Sequence, residues 1–303
     1  MKAADQLPAA IWLPLLNWRA GTRTGRLLRE LTASERWPRE ELEAFQKDKL
    51  VSLLRVAGRD VPFYRNGRLS GISTEGSARD VLGRLPILTR AAIRQAGENM
   101  LNPNGKRVQR SRTGGTTGEP LEIWRDRATA AIGEAALWRG KSWAGIRPWD
   151  RAVAVKGFGK GGLLGRFRMR LLNKWVVPAF RPGAAERSRA QALIRRVRPA
   201  VVEGYVTDLL SLAEGQDFSS AQVRAVLTTG EMLYPDQKEI LSAAFSAPVF
   251  SYYGCNEISS LAYECERGAK HVVDEHVIME AVDEAGQAVW DRPGRLLVTD
   301  LDN

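Results

Sequence analysis

The residues best suited to chemistry begin with Ser111-Arg112-Thr113-Gly114-Gly115-Thr116-Thr117-Gly118-Glu119-Pro120, where four hydroxyl residues and three glycines stand together. Glycines let backbone N–H groups approach an anion without a Cβ in the way. Threonine hydroxyls add rotatable donors. Such a loop suits a polyphosphate. It is not a Walker A loop, because Glu119 rather than Lys-Ser/Thr follows the last glycine. On composition alone a Gly/Thr surface turn is an equal reading. Three later segments bear on the choice. Leu227-Thr228-Thr229-Gly230-Glu231 runs an apolar strand into a turn, and strand ends are where α/β sheets bind ligands. Val249-Phe250-Ser251-Tyr252-Tyr253-Gly254-Cys255-Asn256-Glu257 ends a strand in two tyrosines, a glycine and a carboxylate. Tyrosine can stack on a purine, glycine lets backbone close in, and Glu257 can hold Mg²⁺ against phosphate oxygens. Gly294 to Leu301 is a further strand ending in Thr299-Asp300. Singly, each is also an ordinary strand-to-turn exit.

Two other constellations compete. Both cysteines and both histidines, Cys255, Cys265, His271 and His276, fall within 22 residues. Their spacing lacks the short Cys-x₂₋₄-Cys pair that marks a zinc site, so buried cysteines and surface histidines are the preferred reading over zinc. Between Arg151 and Arg198 stand 13 Lys/Arg against one acid, Glu186. Within that run Gly157-Phe158-Gly159-Lys160-Gly161-Gly162 formally matches G-x-G-x-x-G, but no acidic residue follows about 20 positions on to hold a ribose. A basic glycine-rich loop is the better reading. Aromatic interleaving is too thin to specify nucleic acid.

The elements that must position these groups read as follows. Residues 40–56 are a predicted amphipathic helix, stopped by Val61-Pro62. Thr89 is a predicted N-cap for a short helix ending near Asn99. Residues 127–144, 186–196, 207–215 and 235–245 are predicted helices. Arg151–Val155, Val197–Val202 and Val223–Thr228 are predicted buried strands between them. Strands alternating with helices specify an α/β fold with some parallel pairing. Beyond residue 271, short strands at Val272-Val273, Val277–Glu280 and Leu296–Thr299, separated by turns, predict an antiparallel tail. With 303 residues, 44% hydrophobic and 26% charged, the chain is an ordinary globular composition, one large domain or two. The net charge of +10 implies an anionic partner, unless it is a solubilising Arg-rich surface. Two cysteines exclude a disulfide scaffold and point to a reducing cytoplasm. The apolar run Leu7–Leu16 is too short to span a bilayer and holds two prolines, which leaves peripheral membrane contact as the lesser option.

The order of segments resembles the ANL superfamily of adenylate-forming enzymes, nearest the phenylacetate–CoA ligase and CapK (coenzyme F390 synthetase-like) branch. Leu50, Leu53, Ala57 and Val61-Pro62-Phe63-Tyr64-Arg65 resemble that branch's entry segment, and Leu85-Pro86-Ile87-Leu88-Thr89 its "LPILTK". Thr113 to Pro120 resembles the phosphate loop, and Arg198-Pro199 with Gly204-Tyr205 the segment "KPxxIxGYPS". Thr229-Gly230-Glu231 resembles "GGE", and Tyr253-Gly254-Cys255-Asn256-Glu257 resembles "YGxTE". The resemblance implies an ANL-type adenylation domain with mixed sheets flanked by helices. Residues 1–105 would be a helical segment packed on a nucleotide-binding core of residues 106–303. It also implies a reaction: ATP and a carboxylic acid, aryl or otherwise bulky, give an acyl-adenylate, and CoA or another thiol takes the acyl group. Thr113, Gly114, Gly115, Thr116, Thr117 and Gly118 would cradle the phosphates, with Thr116 and Glu257 catalytic and Glu257 on Mg²⁺. Gly230, Glu231, Tyr253 and Gly254 would flank the adenine, and Tyr205 would line the acyl pocket.

Departures accompany the likeness. Glu119 replaces a lysine frequent in the phosphate loop, and Asn256 replaces Thr or Ser. The family continues past a segment like Thr299–Asn303 into "RYRTGD", whose aspartate holds the ribose, and into a small domain with a catalytic lysine. This sequence contains neither, so the expectation is a truncated adenylating domain, and Asp300 does not take the ribose role. The alternative is a non-catalytic relative acting as a binding or assembly partner, with room for a homodimer.

Overall fold

The computed structural model describes residues 23–65, 67–105, 109–112, 120–156, 169–178 and 183–303. The loop from Thr113 to Glu119, the glycine-rich run from Gly157 and the Leu7–Leu16 stretch lie outside the described residues. The chain divides into two compact units, each assembled from separate stretches of sequence. One takes residues 26–135, 256–259 and 272–303; the other is built on 136–255 and 260–271. The expected 1–105 segment and the expected 106–303 core thus both contribute to the former.

In the unit that holds the N-terminal helices, α1 covers Thr24–Ser34, α2 Arg39–Asp60, α3 Pro62–Arg65, α4 Ala78–Leu82 and α5 Arg90–Ala96. The long α2 matches the predicted helix, and Val61 ends it with an extended backbone ahead of Pro62. Pro62 then opens the short turn of α3, where a proline's missing N–H costs nothing. Ser77 and Asp80 cap α4 reciprocally, and Thr89 accepts the Ala92 N–H at 3.2 Å to cap α5, as predicted. A 3₁₀ turn, Gly97–Met100, carries α5 on to the predicted end. Strands β1 (Gln109–Arg112) and β2 (Glu122–Arg125) form an antiparallel hairpin, with Arg112 opposite Glu122. Helix α6, Arg127–Trp143, follows, and the boundary between units falls inside it.

The other unit is organised on a seven-stranded sheet. In chain order its strands are β3 (Ala152–Lys156), β4 (Lys174–Pro178), β5 (Val201–Gly204), β6 (Ala225–Thr229), β7 (Val249–Cys255), β8 (Ser259–Glu264) and β9 (Lys270–Val272). Helices α7 (Ala184–Val197), α8 (Val206–Ala213) and α9 (Pro235–Phe245) connect them. In space the order is β4-β3-β5-β6-β7-β8-β9, and the pairs from β4 through β7 are parallel. β5 and β6 are buried along almost their whole length, as expected where both faces of a parallel sheet are covered. The predicted strand at Val197 starts late. Val197 ends α7, Arg198 takes a left-handed φ of 46°, and β5 begins at Val201. The core packs Val153, Val202 and Val226 against Ile194, Leu209, Leu241 and the stacked rings of Phe218 and Phe245, whose centroids are 4.7 Å apart.

The predicted tail is an antiparallel ribbon, β10 (Val277–Val282) with β11 (Arg295–Asp300), while Val272 belongs instead to the large sheet as the end of β9. Ile278 and Leu301 pack with Leu50, Ala78 and Val81, so the ribbon and the N-terminal helices share one core within their unit. Gln46 strengthens that seam: its amide donates to the carbonyls of Asp274 (2.9 Å) and Val277 (3.4 Å). Each fully buried aliphatic side chain there contributes about 1.5–3 kcal/mol.

Candidate functional site

The strand order supplies the first indication of a site. From β3 the chain first places β4 on one side, then returns to lay β5, β6 and β7 on the other. In open α/β sheets ligands bind outside the carboxyl ends of the strands where the order reverses, a point that falls here between β3 and β5. The residues leaving those ends are the ones singled out in the sequence. Tyr205 leaves β5, Gly230 and Glu231 leave β6, and Tyr253 and Gly254 end β7.

Local contacts lock this rim. Gly230 sits at φ +78°, and a Cβ there would lie 2.5 Å from the Tyr205 ring, so the ring packs closely against bare backbone. Glu231 reaches back to α8: its carboxylate accepts the Thr207 N–H at 2.8 Å and the Thr207 hydroxyl at 2.8 Å. A carboxylate at a helix N-terminus satisfies donors the helix leaves unpaired. Glu231 thereby ties the β6 exit to the β5 exit. On β7, alternation sends neighbouring tyrosines to opposite faces. Tyr252 stacks on Tyr263 at 5.6 Å, whereas Tyr253 is 45% exposed. Tyr263 is itself buried, which pushes its phenol far up. Beneath the rim, Lys141 of α6 pairs with Glu203 of β5, both almost fully buried. Breaking such a pair leaves a lone buried charge, at about 3–5 kcal/mol.

The other unit holds the ends of the Gly/Thr loop and Glu257. In the hairpin of β1 and β2, Glu122 accepts from both Arg110 and Arg112, the latter at 2.8 Å. The hydrogen bonds from Arg110 and then Arg112 hold the Glu122 carboxyl below its usual range. A cavity of about 480 Å³ lies beside this hairpin, lined by Arg94, Arg110, Pro120, Glu122 and Trp124 among others. Glu257 is about a quarter exposed, and its carboxylate accepts from the Arg90 guanidinium at 2.9 Å. Arg90 opens α5 directly after the Thr89 cap. Sequence reading did not single it out; the only available signal was its place at a capped helix start, 167 residues from Glu257.

The Cys/His cluster does not assemble. Among the described residues, Cys255, Cys265, His271 and His276 bring no three ligand atoms together. His271 meets the Trp143 ring edge-on at 5.5 Å. His276 converges with Asp300 and Asp302 instead. Its Nδ1 is 2.7 Å from Asp302, and Lys49 is 2.7 Å from the other Asp302 oxygen. Burial disfavours the charged His276 ring, but the Asp302 hydrogen bond and the two carboxylates outweigh it and raise its pKa. Burial is opposed likewise at Asp302, where His276 and Lys49 hold the carboxyl low, while burial leaves Asp300 raised. Lys49 and His276 already supply the positive charge this group needs, so it reads as a structural network joining α2 to the end of β11.

The fold is an α/β fold shared with CoA ligases of solved structure. The chain superposes on 2-hydroxyisobutyryl-CoA ligase bound to its acyl-adenylate, 2-HIB-AMP, with a TM-score of 0.72 at 19% identity, covering 88% of this chain and 61% of that one. It also superposes on anthranilate CoA ligase in complex with anthranoyl-AMP, with a TM-score of 0.50 at 21% identity, covering 65% of this chain and 39% of that one. In sequence it is a homologue of phenylacetate-coenzyme A ligase of Thermus thermophilus, 26% identical over 266 residues, 82% of this chain and 59% of that protein. The chain thus spans about three-fifths of the length of the phenylacetate-coenzyme A ligase and of the 2-hydroxyisobutyryl-CoA ligase. No family model matches it. Among the described residues, no helix is long and apolar enough to cross a membrane.

Proposed function

We propose that this chain carries the adenylating site of an acid–thiol ligase. A carboxylate oxygen attacks the α-phosphorus of ATP, the bond to the β-phosphate oxygen breaks, and pyrophosphate leaves as the acyl-adenylate forms. CoA, or another carrier thiol, is the acceptor in the complete reaction. The observation that carries the reading is the alignment of Tyr205, Gly230 and Tyr253 along the carboxyl ends of adjacent parallel strands beside the order reversal.

The residues present fit the substrates. Tyr253 offers an exposed ring on which a purine can stack. Gly230 offers backbone without a side chain, fixed by Glu231, and Tyr205 offers an aromatic wall for an aryl or other bulky acid. Thr113 to Gly118, which follow β1 in the sequence, would supply hydroxyl and backbone donors to the phosphates, Thr116 among them. Glu257 would hold Mg²⁺, a hard cation that takes carboxylate oxygens and, when bound, neutralises phosphate charge as pyrophosphate leaves. A cytoplasmic setting, in keeping with a sequence whose two cysteines are too few for a disulfide scaffold, agrees with CoA chemistry.

ATP–pyrophosphate exchange with a panel of aryl acids tests the proposal. The wild type is expected to exchange with at least one acid, and Glu257→Ala to lose at least about 100-fold, the scale on which removal of a transition-state charge stabiliser is felt. A non-catalytic relative would instead bind ATP in a calorimeter and show no exchange with any acid. Absence of ATP binding altogether would end the nucleotide reading.

A further inference from the structure

We infer that Arg90 is a reversible counter-ion for Glu257, occupying the carboxylate until a divalent cation displaces it, and so sets the metal concentration the site needs. This rests on Glu257 as the metal-binding carboxylate proposed above. Three features carry it. First, Arg90 is the hydrogen-bond and ion-pair partner of Glu257 among the described residues, through one contact of Nη2 to Oε1 at 2.9 Å. The pair is monodentate, so Oε2 is not engaged by the guanidinium. Secondly, the two ends differ in freedom. The Arg90 backbone is fixed at the first turn of α5 by the Thr89 cap, whereas its side chain is 60% exposed and can swing into solvent. The Glu257 side chain is only 27% exposed. Thirdly, the magnitude fits a displaceable partner. A largely exposed, single-contact ion pair contributes roughly 0–1 kcal/mol. That is too little to exclude a divalent cation and enough to shift its half-saturation several-fold. A bidentate, buried pair would have blocked the carboxylate outright. Arg90 is therefore a positioning residue, holding Glu257 oriented while no metal is bound.

The test is a titration of Mn²⁺, read by electron paramagnetic resonance, into the protein saturated with an ATP analogue carrying a methylene between the α- and β-phosphates. Four proteins are compared: wild type, Arg90→Gln, Glu257→Gln and the double variant. Arg90→Gln removes the charge at a surface position, and its thermal melt is expected to match wild type. Its half-saturating Mn²⁺ is expected to fall about two- to fivefold, the shift that the 0–1 kcal/mol of an exposed pair allows. Glu257→Gln is expected to raise the value at least about tenfold, and in that background Arg90→Gln is expected to change nothing, since coupled residues lose their effect when the partner is gone. An unchanged or raised value in Arg90→Gln, or a fall that persists in the double variant, overturns the counter-ion role while leaving Glu257 as the metal residue. If Glu257→Gln matches wild type, or wild type binds no Mn²⁺ with the analogue, the reading of Glu257 fails and the inference fails with it.

Discussion

Single side chains decide how tightly the proposed nucleotide rim is held. Gly230 combines a left-handed φ with a ring 2.5 Å from where a Cβ would stand. Gly230→Ala is therefore expected to lose about 1–3 kcal/mol in urea unfolding, and to raise KM for the acid by displacing Tyr205. A wild-type KM would show that Tyr205 is not at the acyl pocket. His276 gives stability a pH dependence. Its pKa is raised on folding, so it contributes fully below the unfolded value near 6.5 and its contribution is lost as pH rises through the folded pKa. Urea midpoints are expected to fall as pH climbs above about 6.5, and His276→Gln to lack that slope. Gly230 and Glu257 were readable as candidates at strand-to-turn exits, and Tyr205 through the family resemblance, because the order of several short motifs narrows what each exit alone leaves open. Glu231's grip on Thr207 was not, since nothing in a sequence states which way a carboxylate turns.

Elements show where local preference yields to packing. Gly140 lies inside α6, where alanine would ordinarily be about 1 kcal/mol better. Yet a Cβ there would fall 2.1 Å from the Tyr263 ring, which is buried, stacked on Tyr252 and edge-on to Trp143. Gly140→Ala is thus expected to destabilise by about 1–3 kcal/mol, the cost of overpacking; a stabilised variant, read from its urea midpoint, would mean the ring moves freely. Helices α2, α6, α7 and α9 were readable from spacing and caps because an amphipathic face imposes a period of 3.6. The start of β5 was misplaced because Val197 closes the buried face of α7 and Arg198 turns the chain, which apolar content alone does not reveal. Val272 was assigned to the tail because a short apolar pair does not name its partner strand.

At the scale of the whole chain, the net charge of +10 favours a polyanionic ligand and makes its capture sensitive to salt. A ligand that binds only the folded state adds about 2.7 kcal/mol at a hundred times its Kd. MgATP at that excess is expected to raise the urea midpoint correspondingly, and less so at 0.5 M than at about 0.1 M salt. No shift at any salt would count against nucleotide binding by this chain. The two compact units are each discontinuous in sequence, with residues 256–259 and 272–303 joining the N-terminal helices. A contiguous division at residue 105 was the natural reading because a sequence displays neighbours along the chain and not across a core.

By itself, the sequence determined the alternation of strands and helices, the hydroxyl and glycine loop, and the resemblance to adenylate-forming ligases, since these rest on periodicity and on short motifs in order. Tertiary structure alone decided that β5, β6 and β7 lie side by side with their carboxyl ends together, that Arg90 meets Glu257, and that His276 serves Asp302 rather than the cysteines. Such contacts join residues 26 to 167 positions apart, and only the burial of a shared core brings them within reach of one another.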